Sequence, residues 1–138
     1  MNCIFCKIVN GEAPAEILYQ TDRVLAMLDI RPIHFGHTLV IPKAHCADFL
    51  SLPEESLLDV MRATQVMSRA IVKAFDLEGF NVFSNNGRIA GQSVFHFHLH
   101  IVPRYPGDAV RFAPMLKSYA EGSMTEFGER IRRSIQGA

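Results

Sequence analysis

Short apolar runs broken by turn residues fill the first third of the chain. After a turn at Ala13-Pro14, Glu16–Gln20 and Val24–Asp29 carry β-branched or aromatic residues and flank Thr21-Asp22-Arg23, which predicts a hairpin. The stretch Arg31–Gly36 reads as a loop. Thr38–Ile41 is an apolar run halted by Pro42, a third strand. The period then lengthens. Leu57, Met61, Thr64, Ser68, Ile71 and Phe75 recur at helical spacing, with Leu58, Val60, Met67 and Ala70 on or near that face. They predict one long helix over Leu52–Phe75 whose stripe is core. Ser51 with Glu54 is a capping-box pattern, Pro53 suits a first turn, and Gly79 follows as a stop.

Strand character returns in Phe80–Ser84 and in Ser93–Val102, the latter ending at Pro103. Ser123-x-x-Glu126 with Phe127, Ile131 and Ile135 predicts a C-terminal helix, while residues 105–122 show no clear period. With no repeat, low-complexity tract or linker, residues 1–138 read as a single domain. Its class is α+β: a five-stranded antiparallel meander with one long helix and a C-terminal helix.

Composition narrows the partners. Fourteen Lys+Arg balance fourteen Asp+Glu, which argues against an electrostatic grip on nucleic acid or an anionic membrane. No window reaches the roughly 18–20 apolar residues of a membrane span. The N-terminal residues lack the pattern of a signal peptide, so a cytoplasmic location is expected. Three cysteines cannot all pair internally. In a reducing compartment, Cys3-x-x-Cys6 reads as metal or redox chemistry before it reads as a disulfide.

The strongest chemical signal is Val94-Phe95-His96-Phe97-His98-Leu99-His100-Ile101-Val102. Side chains alternate along a strand, so His96, His98 and His100 share one face while Phe95, Phe97, Leu99 and Ile101 take the other. Neutral imidazoles donate, accept, bind metal or attack an electrophile near pH 7. Gly87 and Gly91 bracket the preceding loop and allow its backbone N–H groups to converge on an anion. Loop and ladder together favour a phosphoryl or nucleotidyl group at His98.

The run from His96 resembles the histidine triad (HIT) signature. The likeness extends through Leu28-Asp29-Ile30, Gly36-His37-Thr38-Leu39-Val40-Ile41-Pro42-Lys43, Asn85 and Gly91-Gln92-Ser93. Within the family the chain is most similar to short, Hint-like bacterial proteins. This resemblance implies a homodimer that hydrolyses purine nucleoside phosphoramidates or adenylated conjugates through a nucleotidyl-histidine intermediate, with no catalytic metal. It makes His98 the nucleophile and His100 and His37 its support. Ser93 and Gln92 are placed near the leaving group and phosphate, and Asn85 and the Gly91 backbone hold the phosphate. Asp29 accepts the ribose hydroxyls, and Ile30 and Phe5 flank the nucleoside. A diadenosine polyphosphate hydrolase is an alternative with the same nucleophile. A nucleotide-binding scaffold with secondary catalysis is another.

Cys3-x-x-Cys6 supplies two soft ligands at a spacing that suits tetrahedral zinc, and His45 and His96 are candidates for the other two. The resemblance implies this same set, closed and structural. The alternative is a reduced cysteine pair with a solvent-facing His45. A thioredoxin-like role is disfavoured, because no βαβ pattern surrounds the pair. Cys46 and His34 carry no assignable role.

Overall fold

A computed structural model describes residues 2–136. Helix α1 (Ile4–Val9) leads into strands β1 (Ile17–Gln20), β2 (Val24–Leu28) and β3 (Thr38–Pro42). Helix α2 (Glu54–Phe75), strands β4 (Gly79–Phe83) and β5 (Leu99–Arg104), and helix α3 (Ser123–Gln136) follow. The predicted hairpin forms as β1–β2, with Thr21 Oγ1 accepting the N–H groups of Arg23 and Val24 across the turn. All five strands are antiparallel, in the order β1-β2-β3-β5-β4. The sheet is therefore not the simple meander expected. The chain leaves after β3, crosses with α2, returns at the far edge as β4, and β5 then fills the gap.

Alternation sorts the two faces of the sheet. Val24, Ala26, Val40, Leu99 and Ile101 pack against Val60, Ala63, Met67 and Ile71 of α2. Leu25, Met27, Leu39 and Ile41 pack under Phe5 and Ile8 of α1. Each of these side chains larger than alanine contributes roughly 1.5–3 kcal/mol by leaving water. Thr64 is buried beside them and returns its hydroxyl proton to the Val60 carbonyl at 2.7 Å.

Helix α2 differs from expectation at both ends. Ser51 does not cap it, because its hydroxyl serves a preceding 3-10 turn, Phe49–Ser51, in a capping box with Asp48. Pro53 is the N-cap residue and makes no side-chain cap. At the other end Asp76 takes the left-handed conformation (φ +50°) and donates its N–H to Val72, whereas Gly79 opens β4. The buried stripe runs Val60, Ala63, Thr64, Met67, Ser68 and Ile71, so Leu58, Met61 and Phe75 stand largely exposed instead of in the core.

The fifth strand is also shorter than its alternation implies. The register pairs Val40 with Leu99 and Leu39 with His100. Continued, it would set Phe97 opposite Pro42, which has no N–H to give. Regular pairing therefore begins only at Leu99, and Phe97 N–H bonds the Cys46 carbonyl at 2.7 Å. Phe95 is 43% exposed and takes no part in the core, but Phe97, Leu99 and Ile101 do.

Candidate functional site

His100 lies directly opposite Leu39 in the register, which puts it on the α1 face of the sheet. On that face a cavity of about 620 Å³ opens between α1, the Ala13-Pro14-Ala15 turn and the ends of β2 and β5. Its wall is largely apolar, formed by Ile4, Phe5, Ile8, Met27, Leu39 and Val94, and its polar members are Asp29, Arg31, Ser93, His98 and His100. Ile30 stands 89% exposed at the rim. The fold thus gathers Phe5, Asp29, Ile30, Ser93, His98 and His100 into one hollow. Arg31, Val94 and the 13–15 turn lack any chemical pattern in the sequence that would have marked them.

The backbone sets the tautomer of each histidine. His98 Nδ1 is 2.8 Å from the His96 carbonyl, so Nδ1 carries the proton and the Nε2 lone pair is free. Burial holds the His98 imidazolium pKa below the usual histidine value, against the opposing pull of that carbonyl and of Asp29. The Phe5 ring meets His98 edge to face at 5.2 Å and restrains its plane. At neutral pH this is a fixed, uncharged imidazole with one nitrogen ready to attack.

His37 and His100 form a linked pair. The Ile33 N–H reaches His37 Nδ1 at 2.9 Å, which makes that nitrogen the acceptor and puts the proton on Nε2. That Nε2–H lies 2.9 Å from His100 Nδ1 and 3.7 Å from Asp29 Oδ2. His100 then carries its own proton on Nε2, a buried atom with no partner among the described residues. Burial lowers the His37 pKa, with Asp29 pulling the other way. Burial, reinforced by His98 and His37, lowers that of His100 to about 4. Phe83, directly opposite in the register, stacks on His100 at 4.6 Å and 15°. An orphaned N–H beside a free imidazole nitrogen suits an anionic, electrophilic centre such as a phosphoryl group.

The glycine loop behaves differently from its sequence pattern. Gly87 and Gly91 both take positive φ, around a 3-10 turn at Arg88–Ala90. Yet Ala90, Gly91 and Gln92 donate their N–H groups to carbonyls within the loop, and Gly87 donates to the Gln92 side chain. These four backbone donors are spent inside the loop. Gln92 is buried and spends its amide on Gly87, Ala47 and Val94, which locks the loop in place. Gly91 takes φ +98°, which side-chain-bearing residues rarely adopt, and a Cβ there would meet the Asn85 amide nitrogen only at ordinary contact distance, 3.6 Å. Asn85, Gly91 and Gln92 stand outside the cavity wall itself.

A second cluster sits behind His98. Cys3 Sγ lies 3.5 Å and Cys6 Sγ 3.6 Å from His96 Nδ1, and Cys6 Sγ lies 3.4 Å from His45 Nδ1. All four donor atoms fall within 4.8 Å of one another. Ordinary Zn–S and Zn–N bond lengths at tetrahedral angles put sulfur and nitrogen about 3.5 Å apart, so the donor set fits that ion. His96 is fully buried and commits Nε2–H to the Pro42 carbonyl at 2.7 Å, leaving Nδ1 for a metal. Cys46 is not among these ligands. Among the described residues no helix is long and apolar enough to cross a membrane.

Comparison with known proteins agrees with this fold. The family model described as the HIT domain matches residues 10–107. The adenosine 5'-monophosphoramidase of Schizosaccharomyces pombe is 47% identical over 104 residues, 75% of each chain. The adenylylsulfatase of Arabidopsis thaliana is 39% identical over 119 residues, 86% of this chain and 60% of that one. A Bacillus subtilis member of the HIT family superposes with a TM-score of 0.89 at 38% identity, covering 96% of both chains. A zinc-bound histidine triad protein from Mycobacterium smegmatis gives 0.77 at 37% identity over 100% of this chain and 99% of its own.

Proposed function

The chain belongs to the HIT family, and from that premise we propose that it is a nucleotidyl hydrolase acting through a covalent nucleotidyl-histidine. The observation that carries this reading is the pairing of a free, neutral His98 Nε2 with the orphaned His100 Nε2–H on one cavity wall. A purine nucleoside occupies the apolar hollow between Phe5, Ile8, Met27 and Leu39, with Ile30 at the rim and Asp29 accepting the ribose hydroxyls. His98 Nε2 forms a bond to the α-phosphorus while the bond to the leaving group breaks. The leaving group departs with the bonding pair and takes up a proton from solvent. Water then attacks the same phosphorus and gives up a proton to solvent, while the P–N bond breaks and returns its lone pair to His98. His100 Nε2–H donates to a non-bridging oxygen as charge develops there, and His37 holds His100 in that tautomer. Ser93 stands at the leaving-group side, and Asn85 faces the phosphate beside the loop that Gln92 locks.

The two enzymes named above point to phosphoramidates of AMP and to its mixed anhydrides with other acids as substrate classes. Cys3, Cys6, His45 and His96 hold a structural zinc, supported by their donor geometry and by the zinc-bound relative. We further infer a homodimer. Strand β4 is a sheet edge, and its exposed Phe80 and Val82 share an apolar groove with Leu58 and Met61 of α2.

Brief exposure to a slow adenylating substrate, followed by intact-protein and peptide mass spectrometry, tests the mechanism. The expected result is one AMP adduct on His98 and none in His98→Ala, with turnover lowered on the order of a thousandfold or more. Full turnover in His98→Ala, or an adduct on another residue, overturns it.

A further inference from the structure

His34 and Tyr105 lie outside the cavity and have no part in the chemistry above, yet they meet at the back of the loop that carries His37. Their rings are 4.5 Å apart, and the Tyr105 hydroxyl donates to the Phe35 carbonyl at 2.8 Å. His34 Nδ1 accepts the Phe35 N–H at 2.8 Å, and the His34 carbonyl accepts the His37 N–H at 3.0 Å. Gly36, at φ +92°, sits where a Cβ would come within 3.1 Å of both Phe75 and Pro103, so the loop presses closely on the body of the protein. Tyr105 is itself fixed, donating its N–H to Asp108 at 2.9 Å and meeting Phe75 edge-on. At the loop's other end, Asp29 Oδ1 accepts the Arg31 N–H at 2.8 Å, and the Asp29 N–H reaches the His37 carbonyl at 2.9 Å.

Braced at both ends, the loop directs one amide at the site's histidines. That is the Ile33 N–H, 2.9 Å from His37 Nδ1. A backbone N–H can only donate, so this contact defines a tautomer without any assumption about where side-chain protons lie. Everything downstream follows from it: His37 must donate from Nε2, His100 must accept on Nδ1, and the orphaned His100 proton must reside on Nε2. Were the loop to slip, His37 could protonate Nδ1 instead. His100 would then lose its donor and could present a lone pair, not a proton, to the incoming anion.

We propose that Tyr105 and His34 are positioning residues: they hold the 31–36 loop so that the Ile33 amide sets the tautomers of His37 and His100. This rests on the reading of His100 as donor to the phosphoryl oxygens. It adds two residues and one backbone amide that act on the reaction from outside the cavity.

Long-range 1H–15N correlation spectra of the imidazoles, recorded alongside steady-state kinetics with an adenosine phosphoramidate, test it. In the wild-type protein His37 and His100 are both expected as Nε2–H tautomers. In Tyr105→Phe the His100 signal becomes a mixture, kcat falls by about tenfold and KM stays within about twofold, as befits a partly lost donor in the transition state. Ile33→Pro, which removes the amide itself, lowers kcat by about a hundredfold. If that variant fails to fold, Tyr105→Phe decides alone. A wild-type His37 protonated on Nδ1 overturns the proposal. So does a Tyr105→Phe protein with unchanged tautomers, whether or not its kcat falls. The spectra need no turnover, so an absence of nucleotidyl hydrolysis would refute the functional reading while leaving the tautomer result to stand.

Discussion

Acid should destabilise this protein through His100 in particular. Its pKa is about 6.5 in the unfolded chain and about 4 in the fold, where burial and the neighbouring His98 and His37 oppose the imidazolium. Between those values the unfolded state binds the proton and the folded state does not, so stability is complete above pH 6.5 and falls as pH drops toward 4. At pH 5 the unfolded imidazole is protonated by roughly 30 to 1, whereas the buried one remains neutral by roughly 10 to 1. The difference corresponds to about 2 kcal/mol of stability lost between pH 7.5 and pH 5. Urea unfolding of wild type and His100→Gln at both pH values, with zinc in the buffer, isolates it. The variant is less stable at pH 7.5, but its loss on acidification should be smaller by about 2 kcal/mol. A loss equal to that of wild type within about 0.5 kcal/mol would refute the reasoning.

The catalytic counterpart is a pH–rate profile. Burial lowers the His98 pKa, so kcat/KM for the phosphoramidate should hold constant to below pH 6.5 and fall only as His98 protonates; a fall already complete at pH 6.5 contradicts this. Cys3→Ser should reduce bound zinc from about one per chain to near zero by elemental analysis, and lower the melting temperature by several degrees or more. Ile101→Ala, at a fully buried position, should cost about 2–5 kcal/mol by urea unfolding, whereas Ile135→Ala on the exposed C-terminal helix should stay within about 0.5 kcal/mol. Met61→Glu should convert a dimer into monomer by sedimentation velocity; a wild-type protein that already sediments as a monomer contradicts the assembly.

Much of this architecture was legible in the residues because the relevant signals are local. Hairpin, long helix and alternating histidines each follow from spacing within a few residues. What could not be read depends on a distant partner. Phe95–Ile101 alternates strictly, yet its first half is not paired, because Pro42 on the neighbouring strand withholds an N–H. Likewise α2 has more apolar residues than its core face can hold, so the helical period alone could not separate Met61 from Met67. The glycine loop followed its turn signal, and the internal bonds that occupy the Gly87, Ala90, Gly91 and Gln92 amides could not be read from its pattern. At the site, residue types pointed to His37, His98 and His100, but their protonation depends on backbone groups of Ile33 and His96. Phe83, which stacks on His100, is found only once β4 and β5 are in register.

Position 96 serves the molecule twice. Its imidazole belongs to the proposed metal ligand set, and its carbonyl accepts the His98 Nδ1–H. Only the first duty depends on the amino acid, because every residue supplies a carbonyl. The two are therefore genetically separable though mechanically joined: His96→Ala would delete the proposed ligand while keeping the acceptor that orients His98. Activity surviving in such a variant would show how far the peptide unit holds its place without the metal's anchor, turning a shared residue into a gauge of the strand's own stiffness.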